Sequence, residues 1–363
     1  MINNLSLKNF KAFEALSLSF GSFNLLAGLN GMGKSTVIQA LLLLKQSFTS
    51  PANQLLLLNG EYAQLGFGKD VLNENAAEDI IGIGVDTDKD SYALSFRYEA
   101  DSDKLKAEGA APAPGEMLTL LNRIFHLSAD RITPQSSYSI TAPETVDRRE
   151  FGKDGVYALQ YLEKNGSVSV KNKALLLGDE SQDSLLRQVS MWMEAISPGT
   201  NVEVLVNKAL QSAELRYSFR HGAEATNSYR SINVGFGLTY VLPVIVQLLV
   251  AEPGDILLVE NPEAHIHPAG QSRLGELMAR AASCGVQIIV ETHSDHFLNG
   301  LRIAVKRGVL PAEQVRLFYF QKDSEHGYRH TVTSPVIYSD GQLDHWPKGF
   351  MDEWENMLLE LLQ

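Results

Sequence analysis

Three things are scarce in this chain. It carries one cysteine, Cys284, in 363 residues, which excludes an internal disulfide framework and a cysteine-built metal cluster. Positive charge is in deficit: 43 acidic against 31 basic residues leave a formal charge of −12, which argues against a surface that coats nucleic acid. Basic clusters such as Arg148-Arg149 and Lys171/Lys173 are scattered, so a nucleic-acid ligand stays open and without support. Long apolar runs are missing too. The longest, near Tyr240–Ala251, is broken by Pro243 and Gln247 and is too short to span a bilayer. Met1-Ile-Asn-Asn has no basic start and leads into no signal-like run. The expectation is a cytosolic protein with no membrane partner. With 44% apolar and 20% charged residues the composition is that of a soluble globular protein, and the length predicts two or three structural units.

What is present begins with Gly28-Leu-Asn30-Gly31-Met-Gly33-Lys34-Ser35-Thr36. The apolar run Phe23–Ala27 before it reads as a buried strand, and Val37–Leu44 after it reads as a helix. Strand, glycine-rich turn and helix are the setting a phosphate-binding loop needs. Glycines let successive N–H groups curl toward phosphate oxygens, and the helix N-terminus adds positive potential. Lys34 is expected at the β- and γ-phosphates and the Ser35 hydroxyl on Mg²⁺. The chain is therefore expected to bind ATP.

Three further centres follow. Ile256–Val259 reads as a central strand buried on both faces, ending in Glu260-Asn261-Pro262-Glu263. Ligands gather at the carboxyl edge of an open α/β sheet, so Glu260 is expected beside the loop, ordering magnesium opposite Ser35. Val286–Val290 is a second such strand, one βαβ step later, ending in Glu291-Thr292-His293-Ser294. His293 would emerge near the γ-phosphate, where an imidazole can donate a hydrogen bond. Asn233, Gly235 and Gly237 open a predicted helix that runs to Val250, where backbone N–H groups can meet a phosphate.

Elsewhere, Leu5–Phe20 reads as one or two strands and Ile80–Val85 with Tyr92–Tyr98 as a hairpin. Asp101–Glu116 reads as a linker or loop tip. Val156–Lys164, Ser184–Ile196 and Gln271–Ser283 carry helical spacing. With no internal repeat and no sustained heptads, the stretch between Ser35 and Asn233 is expected to hold a globular lobe and not a coiled-coil arm.

As an ordered set these motifs resemble the ABC-type ATPases of the RecF/SMC and OLD (overcoming lysogenization defect) branch, and within it the compact ATPases of bacterial defence and mobile-element loci. Leu7-Lys-Asn-Phe-Lys-Ala-Phe13 is similar to the N-terminal strand of the branch, and Gly28–Thr36 to its Walker A motif. Asn233-x-Gly235-x-Gly237 resembles its signature, Glu260–Pro268 its Walker B and D-loop, and Glu291–Ser294 its switch histidine. Leu127-Ser-Ala-Asp-Arg131 and Trp346-Pro-Lys-Gly-Phe350 also look like family segments. The resemblance implies an α/β head, a mixed sheet flanked by helices, with an inserted α+β lobe and no long coiled coil. The units expected are 1–99 (first part of the head, with Walker A), 100–225 (lobe) and 226–363 (second part, with signature, Walker B and switch histidine).

The resemblance further implies an ATP-dependent, head-to-tail homodimer in which Asn233, Gly235 and Gly237 close the partner's site. Such a dimer would act as a switch or scaffold for a separate effector protein in anti-phage defence. One departure stands out. Many relatives carry a second acid after the Walker B residue, whereas this chain has Asn261, which can hydrogen-bond water but cannot take its proton as a carboxylate would. Either Glu263, His265 or His293 supplies the base, or hydrolysis is slow with Asn261 positioning the water; slow turnover is the expectation. A rival reading makes His265, His267, His293 and His296, with Glu260, Glu263 and Asp295, a transition-metal hydrolase centre, a nuclease or phosphatase regulated by nucleotide. OLD nucleases add a metal-dependent domain, for which the residues after His293 (294–363) are too few.

Overall fold

The computed structural model describes residues 1–48, 55–109, 114–221, 224–323, 329–352, 357, 358 and 360–362. Its centre is a six-stranded sheet. The order is β17 (Arg329–Thr333), β16 (Val315–Asp323), β3 (Phe23–Gly28), β15 (Gln287–Glu291), β14 (Ile256–Glu260) and β8 (Ile124–Leu127). All neighbours are parallel except the edge pair β16–β17.

The apolar runs foreseen as strands alternate between two cores because successive side chains point to opposite faces. Leu25, Leu257, Val259 and Val290 enter one core; Leu26, Ile256, Leu258 and Ile289 enter the other. Both faces are covered, which is why these strands have no polar side.

The second core lies between this sheet and a six-stranded antiparallel one, ordered β2 (Phe13–Ser19), β1 (Ile2–Phe10), β5 (Ile80–Thr87), β6 (Ser91–Arg97), β7 (Lys104–Glu108) and β4 (Leu55–Leu57). Helix α1 (Lys34–Phe48) is enclosed in that core and buried on nearly every side. Its uniform apolar run Leu41–Leu44 therefore suits it: a helix apolar all round belongs inside.

The first core holds α6 (Phe236–Val250), α7 (Pro268–Ser283) and α8 (Asp295–Lys306). It continues into a third sheet, of β10 (Thr200–Asn207), β11 (Ser212–His221), β12 (Glu224–Ala225), β13 (Tyr229–Arg230) and β9 (Tyr138–Ser139). Helix α5 (Leu185–Ile196) packs on β10, α6 and α7, and α4 (Ala158–Asn165) on β10 and α6. Two short helices, α2 (Pro114–Leu121) and α3 (Pro143–Asp147), complete the described α-helices and strands, which short 3-10 turns join.

The stretch 100–225 is not one separate lobe. Its first part supplies β7 to the antiparallel sheet and β8 to the central sheet, so the residues that build the third sheet begin only at Tyr138. Likewise the linker expected at Asp101–Glu116 contains β7, whose Leu105 is buried between charged neighbours; residues 110–113 of that linker lie outside the described residues. A five-residue strand amid Lys, Glu and Asp has too few apolar positions to show a period, and pairing with β4 and β6 decides it. The hairpin expected near Asp79–Glu99 is present as β5–β6.

Candidate functional site

The loop between β3 and α1 depends on its glycines. Gly28, Gly31 and Gly33 have φ of 140°, 77° and 98°, a region that side chains disfavour. At Gly28 and Gly33 a Cβ would also collide, with the Phe320 carbonyl and the Phe13 ring. Lys34 opens α1, only 3% exposed. Its ammonium folds back on the loop, donating to the carbonyls of Gly28 and Leu29, both at 2.9 Å.

The acid beside this loop is Glu291. The Ser35 hydroxyl donates to Glu291 Oε2 at 2.9 Å, and Lys34 Nζ lies 3.7 Å from Oε1. Strand β15 runs between β3 and β14, so Glu291 pairs in register with Leu26 on one side and Glu260 on the other. Glu260, expected opposite Ser35, stands one strand further out, its Oε1 2.8 Å from His126 Nε2 on β8. Burial pushes the Glu291 carboxyl up, against the pull of Lys34. Burial pushes Lys34 down, and Glu291 opposes it.

The turn after β14 is held from outside the motif. Arg131, almost fully buried, donates to the carbonyls of Ser128 at 2.7 Å, Glu260 at 2.6 Å and Asn261 at 2.6 Å. It lies 3.9 Å over the Tyr240 ring on α6. Burial lowers its pKa to about 10, so it stays charged at neutral pH. Asn261 takes φ of 42°, a left-handed conformation that asparagine tolerates better than most residues. Its N–H donates to the Glu291 carbonyl at 2.8 Å, while its side-chain oxygen is buried without a protein partner.

Glu263 follows, buried, its carboxyl pushed up by desolvation. One oxygen accepts from the His293 N–H at 2.9 Å and the other has no protein partner. The His293 ring is exposed. Burial, then the Lys34 charge, lower its pKa, which keeps it neutral at physiological pH and places it within electrostatic reach of the loop.

The other histidines of the expected metal centre are exposed and make only local contacts. His265, at φ of 64°, sits 4.5 Å from the Phe236 ring. His267 Nδ1 caps α7 by accepting from the Ala269 N–H at 3.3 Å, and His296 lies 3.7 Å from its neighbour Asp295. Among the described residues no group of three or more His, Cys, Asp or Glu is arranged to hold a metal ion. The transition-metal hydrolase reading therefore loses its donor set. Magnesium needs a different one: it accepts one or two carboxylates, a hydroxyl and phosphate oxygens. The Ser35 hydroxyl with Glu291, and Glu260 beyond it, fit that demand.

Asn233 and Gly235 are exposed at the start of α6, with Gly235 at its N-cap. Gly237 abuts His265, whose carbonyl a Cβ there would overlap. The start of α6 thus packs on the turn that follows Asn261. On the other side of the Walker A loop, a cleft of about 670 Å³ is lined by Lys11, Gly31, Asp70, Lys322 and His330; His330 Nε2 is 3.3 Å from the Gly31 carbonyl.

Glu291, His126 and Arg131 were not assigned roles on sequence. Glu291 carries the same signal as Glu260, an acid ending a buried apolar strand. His126 lies in a strand, Ile124–Leu127, too short to show a period, and Arg131 in a loop beyond it.

A family model described as "AAA domain, putative AbiEii toxin, Type IV TA system" matches residues 23–299. The chain belongs to this family. A second family, "Protein of unknown function (DUF3696)", matches residues 310–361. No curated protein matches the chain in sequence. Among solved structures, an SMC head bound to the C-terminal winged-helix domain of ScpA is similar over 93% of this chain and 98% of its own, at 16% identity and a TM-score of 0.54. The Smc head of Pyrococcus furiosus with an extended coiled coil, bound to the C-terminal domain of ScpA, is similar over 100% and 99%, at 14% identity and a TM-score of 0.52. The fold is that of the SMC heads, here without a long coiled coil among the described residues. None of the described helices is long and apolar enough to cross a membrane.

Proposed function

We propose that this AAA-domain protein binds and slowly hydrolyses ATP, and that its ATP-bound homodimer is a switch for a separate effector. The observation that carries this reading is the cluster of Lys34, Ser35 and Glu291, with Glu260 and Asn261 at the adjoining strand end. On this reading Lys34 leaves the loop carbonyls for the β- and γ-phosphates, and the N–H groups of Gly31 to Thr36 surround them. Ser35, Glu291 and Glu260 hold Mg²⁺, which when bound neutralises phosphate charge as it develops. The cleft at Lys11, Asp70 and His330 takes the nucleoside.

Asn261 orients the attacking water through its unpartnered side-chain oxygen and has no means of taking the proton, which keeps turnover slow. Glu263 is the nearest alternative base, its carboxyl already raised by burial. His293, neutral, donates a hydrogen bond toward the γ-phosphate. Asn233, Gly235 and Gly237 meet the nucleotide of a second copy, so that loss of the γ-phosphate loosens the dimer. Resemblance to the OLD branch is the basis for proposing anti-phage defence as the setting.

Light scattering of the purified chain, with and without ATP–Mg²⁺, tests the reading while phosphate release is followed in parallel. A dimer that forms on ATP and decays with slow release is expected. A protein that stays monomeric with ATP bound would remove the in-trans signature.

A further inference from the structure

Strand β10 is an edge strand: among the described residues it pairs with β11 alone. The pairing fixes where its backbone points. The Gly199 carbonyl accepts from the Arg220 N–H at 2.9 Å, and this pair continues the register of Thr200 with Phe219. Backbone groups of an antiparallel strand alternate in direction, so Asn201, Glu203, Leu205 and Asn207 bond to β11. Val202, Val204 and Val206 point the other way. On that side the Thr200 N–H donates to the Ser197 carbonyl at 3.2 Å, and Val202 is covered, only 3% exposed. Val204 and Val206 are half-buried. Among the described residues no protein group bonds to their outward N–H and C=O, and backbone groups left in that state are those that water reaches.

This open stretch lacks the devices that keep sheet edges apart. It carries no proline, and its register with β11 runs without a bulge. Its one acid, Glu203, accepts from Ser228 Oγ at 2.8 Å. Successive side chains point to opposite faces. On the inner face Val204 and Val206, opposite Leu215 and Ala213 of β11, pack only partly on the first core, so apolar surface is left at the rim. On the outer face Leu205 is 44% exposed.

We propose that this edge pairs with the same edge of a second copy, antiparallel about a two-fold axis at Leu205. In that register Val204 of each chain exchanges both backbone bonds with Val206 of the other. Leu205 meets Leu205 in the closely spaced pair between them. Glu203 faces Asn207, so no like charges are opposed. A two-fold interface requires such self-complementarity, and a register centred on Val204 would need the covered groups of Val202. The interface is small, so a dissociation constant on the order of 0.1 mM is expected, with no dependence on ATP. The claim does not rest on the ATPase reading above.

The test uses the full chain carrying Lys34→Ala, so that an ATP-dependent dimer does not contribute. Sedimentation equilibrium without nucleotide, up to about 1 mM chain, is expected to show monomer and dimer. Leu205→Lys and Leu205→Glu each set like charges against each other across the axis and should weaken pairing about tenfold or more. Mixed in equal amounts, the two variants should pair again, because opposite charges then meet. Val204→Pro removes an outward N–H and leaves the β11 ladder whole, as proline on an edge strand can. It should abolish pairing with a melting temperature near that of the parent. The proposal is overturned if the parent stays monomeric throughout, which would leave the edge to a foreign strand or to water. A mixture of the Leu205 variants that pairs no better than either alone also overturns it, as does a folded Val204→Pro that pairs like the parent. A failure of ATP to bind the wild-type chain would sink the ATPase reading and leave this result untouched.

Discussion

Ser35 donates its hydroxyl to Glu291 at 2.9 Å, from the first turn of α1 to the tip of the neighbouring strand. With Lys34 3.7 Å from the same carboxylate, one acid holds both of the loop side chains proposed to meet phosphate and magnesium. An incoming phosphate must displace that carboxylate from Lys34, while an incoming magnesium ion can share it. On the proposed reading Glu291 should oppose ATP alone and favour ATP with magnesium.

Glu291→Gln should separate these effects. Removing a like charge within a few ångströms of the phosphates should tighten magnesium-free ATP binding about tenfold. Magnesium-dependent phosphate release should fall by at least about tenfold. Calorimetry in EDTA and in Mg²⁺, with a phosphate-release assay, reads both. No change in either would reduce Glu291 to a structural acid.

The raised carboxyl of Glu263 has a stability signature. Below its ordinary value of 4.5 the group is protonated in folded and unfolded chains alike, and its burial has no ionic cost. As pH rises through the higher folded value, the native state must ionise a desolvated acid and loses stability. Glu263→Gln abolishes this cost and keeps an oxygen for the His293 N–H. Its melting temperature relative to wild type should therefore increase between about pH 4 and about pH 7. A difference that stays flat with pH would contradict the assignment.

Arg131 ties the turn after β14 to α6. Arg131→Met leaves the carbonyls of Ser128, Glu260 and Asn261 unpaired and should cost roughly 3 kcal/mol or more, at about 1 kcal/mol or more per buried group. Urea unfolding measures it. Arg131→Lys should recover only part, since a point charge cannot span three carbonyls.

Asn261→Glu places a possible base next to Glu260. The left-handed φ of 42° should cost about 1–2 kcal/mol in urea, and phosphate release should rise in spite of it. Slower release would return the role of base to Glu263 or His293.

Gly235 and Gly237 separate assembly from folding. A Cβ at Gly235 meets nothing within 4 Å, whereas one at Gly237 overlaps the His265 carbonyl. Gly235→Ala should melt within about 1 kcal/mol of wild type and fail to dimerise on ATP. Gly237→Ala should lower the melting temperature as well. Normal dimerisation of Gly235→Ala would argue against the in-trans contact.

Local chemistry made much of this protein legible. Gly28, Gly31 and Gly33 read as a phosphate loop because only glycine suits those angles, and the strand and helix they join are adjacent in sequence. Leu257 to Val259 and Ile288 to Val290 read as core strands because a strand buried on both faces has no polar positions. Asn261 read as a departure because it sits within a contiguous motif. By contrast, nothing near Glu291 announces that β15 inserts between β3 and β14, and that order makes Glu291 the partner of Ser35 and moves Glu260 outward to His126. Arg131 closing the turn at Asn261, and β7 and β8 leaving the expected lobe to join two head sheets, are likewise pairings between distant segments. A sequence by itself determines what each short stretch can do, through backbone sterics and hydrophobic period. Which stretches meet is decided by the burial of both sheet faces at once, a property of the whole chain that only the tertiary structure expresses.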